Sequence, residues 1–422
     1  MGGLCTLRIL DSLIQILLQL VLPLALIGTH ICLTIRLRFP QRRIPQGIRQ
    51  TLQGGFPALA VQLSAALGVG NIVGVALAIA CGGPGAVFWC WLSGAFGIAT
   101  TYAEARMTLE CRRDAGSGPW SAMRRGMGMF YAAAVAAGGL FIGSMIPANA
   151  IAAAVSLPKP AAACILGLLT GITALSGSVW LQRTCERLLP AAAGLYLLAC
   201  LGILFVCRDS VPWAIRAILS GAFSLKGAAG GALGSVPMLA AIRYGATRGL
   251  FSNEAGLGTA GIAAASLPEG DPAAQAAVSA TATFWDTVVF CGVTGLAFVA
   301  AIPRLPGIPR DGMAFCTAVF SLLPGGAAVL RLTVLFLGLA CIFGWCCIGT
   351  RAFSHACTGT SPRAYAVFWT LSAVFGVLCS AEGIWRLSDL LNAAAICPML
   401  YTLRRYYAKN RASSTIELTE RI

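Results

Sequence analysis

Two glycines and an asparagine interrupt a long apolar stretch of the chain. Gly68, Gly70 and Asn71 lie inside a run that extends from about Phe56 to Ala80. In the hydrocarbon of a membrane, an unwound backbone is tolerated only where it is buried in protein or lines a cavity. The carbonyl and amide groups freed at such a break can bind a solute or an ion. Close helix packing through small residues is the alternative explanation.

The densest polar cluster next to an apolar segment is Arg248–Gly258, which reads Arg-Gly-Leu-Phe-Ser-Asn-Glu-Ala-Gly-Leu-Gly. Ser252 or Asn253 could cap a following helix, and the two glycines at the end of the cluster could allow close packing. A cap does not explain Glu254, because a carboxylate beside apolar residues needs a partner or a proton.

Two further carboxylates lie within or beside apolar segments. Glu104 could pair with Arg106 or with Arg248 at the cytoplasmic face, or it could be a solvated charge at a helix end. Asp286 lies well inside an apolar run, where a carboxylate is a functional candidate by default. A salt bridge that joins two helices is the structural alternative. The predicted gate or coupling residues are Glu104, Arg248, Asn253, Glu254 and Asp286.

The sequence shows no pattern typical of an enzyme or of a metal site. It has no hydrolase elbow and no Gly-x-x-x-x-Gly-Lys phosphate loop. Most of the 17 cysteines lie in apolar runs, only two histidines are present, and no paired Cys-x-x-Cys spacing lies near them. Buried thiols behave as small hydrophobic groups. We therefore expect no catalysis, no cofactor, no metal and no disulfide framework.

Composition places the chain in the membrane. Of its 422 residues, 58% are hydrophobic and 11% are charged. A hydrocarbon core about 30 Å thick needs roughly 20 apolar residues per helix, and the apolar runs are continuous rather than alternating. The sequence predicts an all-α polytopic protein with about eleven transmembrane helices, near residues 10–35, 56–80, 84–110, 129–156, 160–179, 188–207, 228–250, 274–302, 326–350, 364–381 and 384–403.

The charge pattern predicts the orientation. The net charge is +15, and most of the 30 lysine and arginine residues fall in alternate connecting segments. By the positive-inside rule those segments are cytoplasmic, which puts the N-terminus outside and the C-terminus inside. The excess of positive charge is therefore explained by the membrane topology and by attraction to anionic lipid. We expect a multi-pass protein of the cell inner (plasma) membrane that binds no nucleic acid.

The helices predict an internal repeat. Residues 1–55 form an extra transmembrane helix and a basic cytoplasmic loop, and residues 406–422 form a cytoplasmic tail. Between them, residues 56–207 and 208–405 each contain five helices, and the second part opens with an interfacial segment at about 211–227. An odd helix number makes the two halves enter the membrane from opposite sides, as in an inverted repeat. Each half opens with a glycine-interrupted segment, the second at Gly227, Gly230, Gly231 and Gly234.

Several motifs in order resemble the alanine or glycine:cation symporter family, also called sodium:alanine symporters. Residues 68–76 resemble the first broken helix of the family, and residues 82–97 resemble its signature, with Cys90 where methionine is usual. Residues 248–256 resemble a segment of the family almost residue for residue. Trp285-Asp286-Thr, Gly344-Trp345 and Trp385-Arg-Leu-Ser-Asp389 follow in the expected order. The resemblance extends over residues 50–400.

The resemblance implies a leucine-transporter-type fold with a 5+5 inverted repeat and an amino-acid site at the membrane centre. It also implies a secondary active transporter that imports a small neutral amino acid, alanine or glycine, with a cation. We expect substrate binding by Ala66, Gly68, Val69, Gly70, Asn71, Asn149, Gly230, Gly231, Gly234 and Trp345. We expect the monovalent cation to be sodium, with a proton as the alternative, and to bind at Gly68, Asn71, Ala340 and Cys341.

The chain departs from the family at positions where oxygen ligands are usual. Threonine is common near Ala66 and Val69, and hydroxyl residues are common at Ala340 and Cys341; a family glutamine is Pro147 here. Hard cations prefer oxygen to sulfur. Two alternatives therefore stay open: a proton-coupled or uncoupled carrier of another small solute, and a family member that no longer transports.

Overall fold

The described residues form a bundle of helices. The computed structural model describes residue 18 and residues 21–114, 116–155, 157–223 and 238–410, and within these ranges it contains helices and turns but no strand. In hydrocarbon a helix satisfies its backbone hydrogen bonds within one segment, which is why continuous apolar runs become helices. The predicted all-α class is confirmed.

The helices follow the apolar runs closely. In chain order they are α1 Leu22–Arg36, α2 Ile44–Gln50, α3 Phe56–Ala66, α4 Val75–Gly82, α5 Gly85–Glu110, α6 Arg125–Gly138, α7 Ile146–Val155, α8 Lys159–Leu175, α9 Ser178–Val206, α10 Val211–Phe223, α11 Met238–Asn253, α12 Thr259–Ala264, α13 Pro272–Thr283, α14 Gly292–Ala301, α15 Gly312–Phe320, α16 Gly326–Ala356, α17 Pro362–Leu378 and α18 Ala381–Lys409. Wider π-helical turns precede α3 and α4, join α6 to α7 and join α13 to α14.

Five helical segments in the described ranges are long and apolar enough to cross a membrane, and a bent pair could form a sixth. The pair is α1 with residues 40–66, which bend by 69°. The five are Gly85–Glu110, Arg125–Val155, Val179–Val206, Pro272–Arg304 and Gly326–Ala356. The protein is therefore a multi-pass membrane protein, and the count of eleven helices stays a prediction.

The segment between α1 and α3, which we expected to be a basic loop, is helical. A short 3₁₀ turn at Pro40–Arg43 leads into α2. Gly47 on α2 lies directly against the backbone of Ala277 and the side chain of Thr281 on α13, where any larger residue would clash. This close contact gives the segment a partner for packing, which the basic composition did not reveal.

Close backbone contacts also position the centre of the bundle. A Cβ atom added at Gly344 on α16 would lie 2.7 Å from the backbone nitrogen of Ala65 and 2.8 Å from the carbonyl oxygen of Val61. Small residues allow membrane helices to approach in this way. As a result, α16 lies against the last turn of α3, beside the first predicted break.

Candidate substrate and cation site

The first predicted break is present between α3 and α4. At Leu67 the backbone leaves the helical region with ψ 88°, and the helix resumes at Gly70. The side-chain oxygen of Asn71 accepts a hydrogen bond from the backbone nitrogen of Gly68 at 3.1 Å, and the backbone nitrogen of Asn71 donates to the Gly68 carbonyl at 3.2 Å. Asn71 thus stabilises the unwound backbone, which explains its place in an apolar run.

A second break separates α11 from α12, over the five residues Glu254–Gly258. Glu254, Gly256 and Gly258 have φ angles of 54°, 102° and 89°. Positive φ angles are incompatible with a continuing right-handed helix and favour glycine. We had expected a packing role for these glycines and the break at Gly227, Gly230, Gly231 and Gly234. Those four residues lie outside the described ranges, and the break that the structure shows is about 20 residues further along the chain.

Side chains from α5, from α6 and from the last residue of α11 satisfy the peptide groups of this second break. The Gly256 nitrogen donates to the Glu104 carboxylate at 2.6 Å. The Tyr131 hydroxyl donates to the Leu257 carbonyl at 2.8 Å, and the Ala255 nitrogen donates to the side chain of Asn253 at 2.9 Å. The break is therefore a supported part of the fold, because buried peptide groups need such partners.

Asp286 joins the two breaks through a buried network of hydrogen bonds. Its carboxylate accepts from Asn71 at 2.6 Å, from the Ser252 hydroxyl at 2.9 Å and from the Thr287 hydroxyl at 2.7 Å. Asn71 also donates to Ser252 at 2.8 Å. Asp286 is fully buried in the wide turn between α13 and α14. It is a connecting residue, and it lies behind the residues that line the cavity described next.

A small cavity lies between the two breaks. Its volume is about 80 Å³, well below the roughly 300–1,000 Å³ of pockets that hold drug-sized ligands. The first break supplies Ala65, Ala66, Gly68, Val69, Gly70 and Asn71 to its wall, and the remaining lining residues are Ile142, Ile146, Pro147, Arg248, Ser252, Glu254, Cys341, Trp385, Ser388, Asp389 and Asn392. Five of the predicted substrate residues, 66 and 68–71, thus lie together.

The predicted inner gate is divided between two places. α11 runs beside α5 in the same direction, so that Arg248 lies nearer the Gly85 end of α5 than the second break does. The Arg248 guanidinium lies 5.6 Å from the ring centre of Trp385, at the edge of the cavity that Asp389 also lines. Glu104 lies on the other side of the break, nearer the Glu110 end of α5. These residues therefore do not form one gate.

The ion pairs expected for Glu104 are replaced by other contacts. Arg106 pairs with Glu110 at 2.6 Å, and Glu104 accepts from the Gly256 amide instead. Arg248 contacts Trp385 and does not reach Glu104, because the second break lies between them. Neither alternative for Glu104, an ion pair with Arg106 or Arg248 or a solvated charge, describes its contacts, because the buried carboxylate accepts from an amide that the second break exposes.

Glu254 faces the cavity, and Trp345 holds it in place. The indole nitrogen of Trp345 donates to one carboxylate oxygen of Glu254 at 2.9 Å. The other carboxylate oxygen is buried and has no hydrogen-bond partner among the described residues. Trp345 does not line the cavity itself. Trp345 contacts the cavity only indirectly, because it donates a hydrogen bond to Glu254, which does line the cavity.

The predicted cation residues are only partly brought together. Cys341 lines the cavity, and its thiol lies 3.4 Å from the carbonyl oxygen of Ala65 in the last turn of α3. Gly68 and Asn71 lie across from it on the first break. Ala340 is fully buried and does not line the cavity. The groups around the cavity that could bind a cation are backbone carbonyls, an amide, hydroxyls and carboxylates, and the Cys341 thiol lies among the lining groups.

Two predicted residues lie elsewhere. Asn149 donates to the carbonyls of Gly376 at 2.9 Å and Cys379 at 3.2 Å, so it fastens α7 to the end of α17 and does not line the cavity. Asn253 forms the turn that starts the second break. The prediction that Asn149 lines the substrate site was wrong, because its amide donates to the carbonyls at the end of a neighbouring helix instead.

One wall of the cavity was not assigned to the site from the sequence. It is the polar face of α18, made by Trp385, Ser388, Asp389 and Asn392. Their spacing of three, four and seven residues puts them on one side of a helix. That spacing was a usable signal, although polar residues close to a predicted membrane end are usually solvated.

Comparisons with known proteins find a symporter family and individual transporters that are similar to this chain. The profile described as "Sodium:alanine symporter family" matches residues 5–408. The "Sodium/alanine symporter AgcS" of Methanococcus maripaludis is 34% identical over 411 residues, which cover 90% of this chain and 90% of that protein. An "Uncharacterized transporter" of Haemophilus influenzae is 34% identical over 407 residues, which cover 89% and 88% of the two chains.

The fold is also similar to that of a solved transporter structure. The crystal structure of MhsT in complex with L-phenylalanine has a TM-score of 0.58 and 15% identity, and the match covers 82% of this chain and 87% of that chain. This likeness supports the expected leucine-transporter type, while the 5+5 repeat stays a prediction. The profile match covers nearly the whole chain. The chain therefore belongs to the sodium:alanine symporter family.

Proposed function

We propose that this protein imports a small neutral amino acid, alanine or glycine, together with a cation, by alternating access across the membrane. The observation that carries the proposal is the pair of facing helix breaks around one small cavity. Backbone amides at the start of the Gly70–Gly82 helix suit a carboxylate, and the carbonyls that end α3 suit an ammonium group or a cation.

The charges around the cavity favour a zwitterion. Arg248 is available for the carboxylate of the substrate, while Glu254 and Asp389 are available for positive charge. An ion moved out of water needs matched partners, because an unpaired charge in an apolar medium costs several kcal/mol. The small volume and the alanine and glycine residues of the wall restrict the substrate to a short side chain.

We propose sodium as the coupling ion, bound between the first break and α16. The carbonyl of Ala65 and the side-chain oxygen of Asn71 are oxygen donors of the type that hard cations prefer. We also propose that the protein resides in the cell inner membrane with its N-terminus outside and its C-terminus in the cytoplasm, as the positive-inside rule indicates.

The test is a counterflow experiment with the purified chain in proteoliposomes. Vesicles loaded with unlabelled alanine or glycine should accumulate the labelled amino acid several-fold over protein-free vesicles when sodium is present. Replacing sodium with choline should remove most of this signal. Asn71→Ala should abolish it, whereas the exposed amide variant Gln53→Ala should transport normally. Failure to take up any small neutral amino acid under either condition would contradict the proposal.

Proton coupling is the second candidate, and two observations favour it. The thiol of Cys341 occupies the position where an oxygen ligand is expected, and one oxygen of Glu254 lacks a partner in the described part of the chain. A buried carboxylate in this position can take up and release a proton. Uptake that is driven by an imposed pH gradient without sodium, and that Glu254→Gln abolishes, would establish this candidate over sodium coupling.

A further inference from the structure

A second and larger cavity lies at the Glu110 end of the bundle. Its volume is about 980 Å³, and it shares no lining residue with the cavity between the helix breaks. Its walls are the loop between α5 and α6, the adjoining ends of α8 and α9, the end of α16, and the turn that leads into α17. The proposed transport site does not account for it.

The wall of this cavity is strongly basic. Arg113, Arg125, Arg351 and Arg363 line it, and the single carboxylate among its described lining residues is Asp114. No ion pair in the described ranges involves any of the four arginines. Asp114 accepts a hydrogen bond from the Ser117 hydroxyl at 3.1 Å. A cavity with four cationic groups against one anionic group attracts an anion.

The other polar groups of the wall suit a phosphate. Hydroxyl groups from Ser121 and Thr350 accompany the arginines, while the hydroxyls of Ser117 and Ser354 donate to Asp114 and to the Thr350 carbonyl. Guanidinium and hydroxyl groups together are typical partners of phosphate oxygens. A general excess of positive charge at one membrane face would scatter arginines over that face, whereas here four of them surround one concave space.

The edge of the cavity indicates that the phosphate belongs to a lipid. Leu175 lines the cavity at the end of α8 and is 62% exposed. Leu168 and Ile172 are exposed on the same side of α8, seven and three residues earlier, at 68% and 56%. An apolar stripe therefore leads away from the arginines along the outer surface of the bundle, as acyl chains attached to a bound headgroup require.

We propose that this cavity binds the phosphate headgroup of an anionic phospholipid. The arginines contact the phosphate oxygens, and the acyl chains lie along α8. Basic pockets between membrane helices are a known kind of site for anionic headgroups. Arg351 also donates to the Ile262 carbonyl on α12 at 3.1 Å, so one wall of the cavity is connected to the helix that follows the second break.

The test measures binding and does not depend on transport. The purified full chain is titrated with phosphatidylglycerol and, separately, with phosphatidylcholine, and bound lipid is counted by native mass spectrometry. The test variant combines Arg113→Gln, Arg125→Gln and Arg363→Gln, all exposed side chains. The control variant removes the same number of exposed arginines from the segment around α2, as Arg38→Gln, Arg42→Gln and Arg49→Gln. Arg351 is left intact because of its contact with α12.

We expect the wild type to prefer phosphatidylglycerol and the test variant to lose at least about tenfold in affinity. Each basic residue near an anionic lipid contributes about fivefold. The control variant should change less than about twofold, and both variants should unfold at the temperature of the wild type. Equal binding of the two lipids, or equal losses in the two variants, would overturn the proposal. Binding of inorganic phosphate at millimolar concentration, without any binding of phosphatidylglycerol, would assign the cavity to a soluble phosphate and would overturn the lipid assignment.

Discussion

A few buried polar side chains take the place of peptide hydrogen bonds at the two helix breaks. Asn71 holds the backbone of the first break, and its amide nitrogen reaches Ser252 and Asp286 on the other side. The Asp286 carboxylate accepts three hydrogen bonds, two from distant parts of the chain at Asn71 and Ser252 and one from the adjacent Thr287. A carboxylate can accept from all three donors at once, whereas an amide cannot.

Asp286→Asn should therefore impair transport strongly. An asparagine at this position offers one oxygen and places an NH₂ group against one of the present donors. Loss of charge-assisted hydrogen bonds of about 1.5–3 kcal/mol corresponds to a roughly tenfold to hundredfold lower initial rate of uptake. The matched control is Asp209→Asn, since Asp209 is exposed near the start of α10. Wild-type uptake by Asp286→Asn would show that this network has no part in the site.

Cys341→Ser should increase the apparent affinity of the transporter for sodium. A hydroxyl oxygen is a better ligand for a hard cation than a thiol of nearly the same size. A gain of about 1 kcal/mol would lower the sodium concentration for half-maximal uptake by about fivefold. Cys341→Ala serves as the control, because it removes the sulfur without adding an oxygen. An equal response of the two variants would mean that no cation binds at this position.

At the scale of elements, the two broken helices are stabilised in different ways. The first break uses its own asparagine side chain, while the second needs Glu104 from α5 and Tyr131 from α6. Its backbone also needs glycine at two positions of positive φ. The second break is therefore the more dependent on tertiary contacts.

Gly256→Ala should destabilise the protein and reduce uptake. A residue with a Cβ at φ 102° is strained by about 1–3 kcal/mol, and the added carbon would clash with Leu26 on α1. The control is Gly194→Ala in the middle of α9, where nothing lies within 4 Å of an added Cβ. That change should be neutral or stabilise by up to about 1 kcal/mol. Thermal unfolding of the two purified variants compares them, and equal midpoints would contradict the strained geometry.

The sequence predicted elements better than the contacts between them. α5 begins at Gly85 and ends at Glu110, close to the predicted 84–110, because a proline starts the helix and arginines follow it. The second break escaped prediction because Ser252 and Asn253 also fit a helix cap, and Gly256 and Gly258 also fit close packing. The repeat of Gly-x-Gly at residues 68–70 and 256–258 was the missed signal. Positive φ angles and the role of Glu104 follow only from tertiary packing.

Across the whole molecule, the hydrogen bond from Asn71 to Ser252 holds the regions of the two breaks together, and charged groups lie on either side of them. Arg248, Trp385 and Asp389 lie towards the Gly85 end of α5, and Glu104 lies towards its Glu110 end. Alternating access requires a site that can be closed from each side in turn. We propose that Arg248, Trp385 and Asp389 close the cavity on one side and that Glu104 closes it on the other.

The proposed orientation rests on the distribution of arginines and can be measured directly. Green fluorescent protein fused after Ile422 should fluoresce in intact cells, while alkaline phosphatase fused at the same position should be inactive. This result is expected because the connecting segments rich in arginine stay in the cytoplasm. Fusions after residue 307, between α14 and α15, should show the opposite pattern and serve as the control. Active phosphatase at the C-terminus would reverse the proposed orientation.

An experimental density map of the purified protein in lipid nanodiscs, with alanine and sodium added, would show whether an amino acid binds between the two breaks. We expect density for the amino acid between residues 66–71 and 252–258, with its carboxylate facing the amides at Gly70. A map that shows both segments as continuous α-helices facing lipid, or alanine bound at another place, would contradict this expectation.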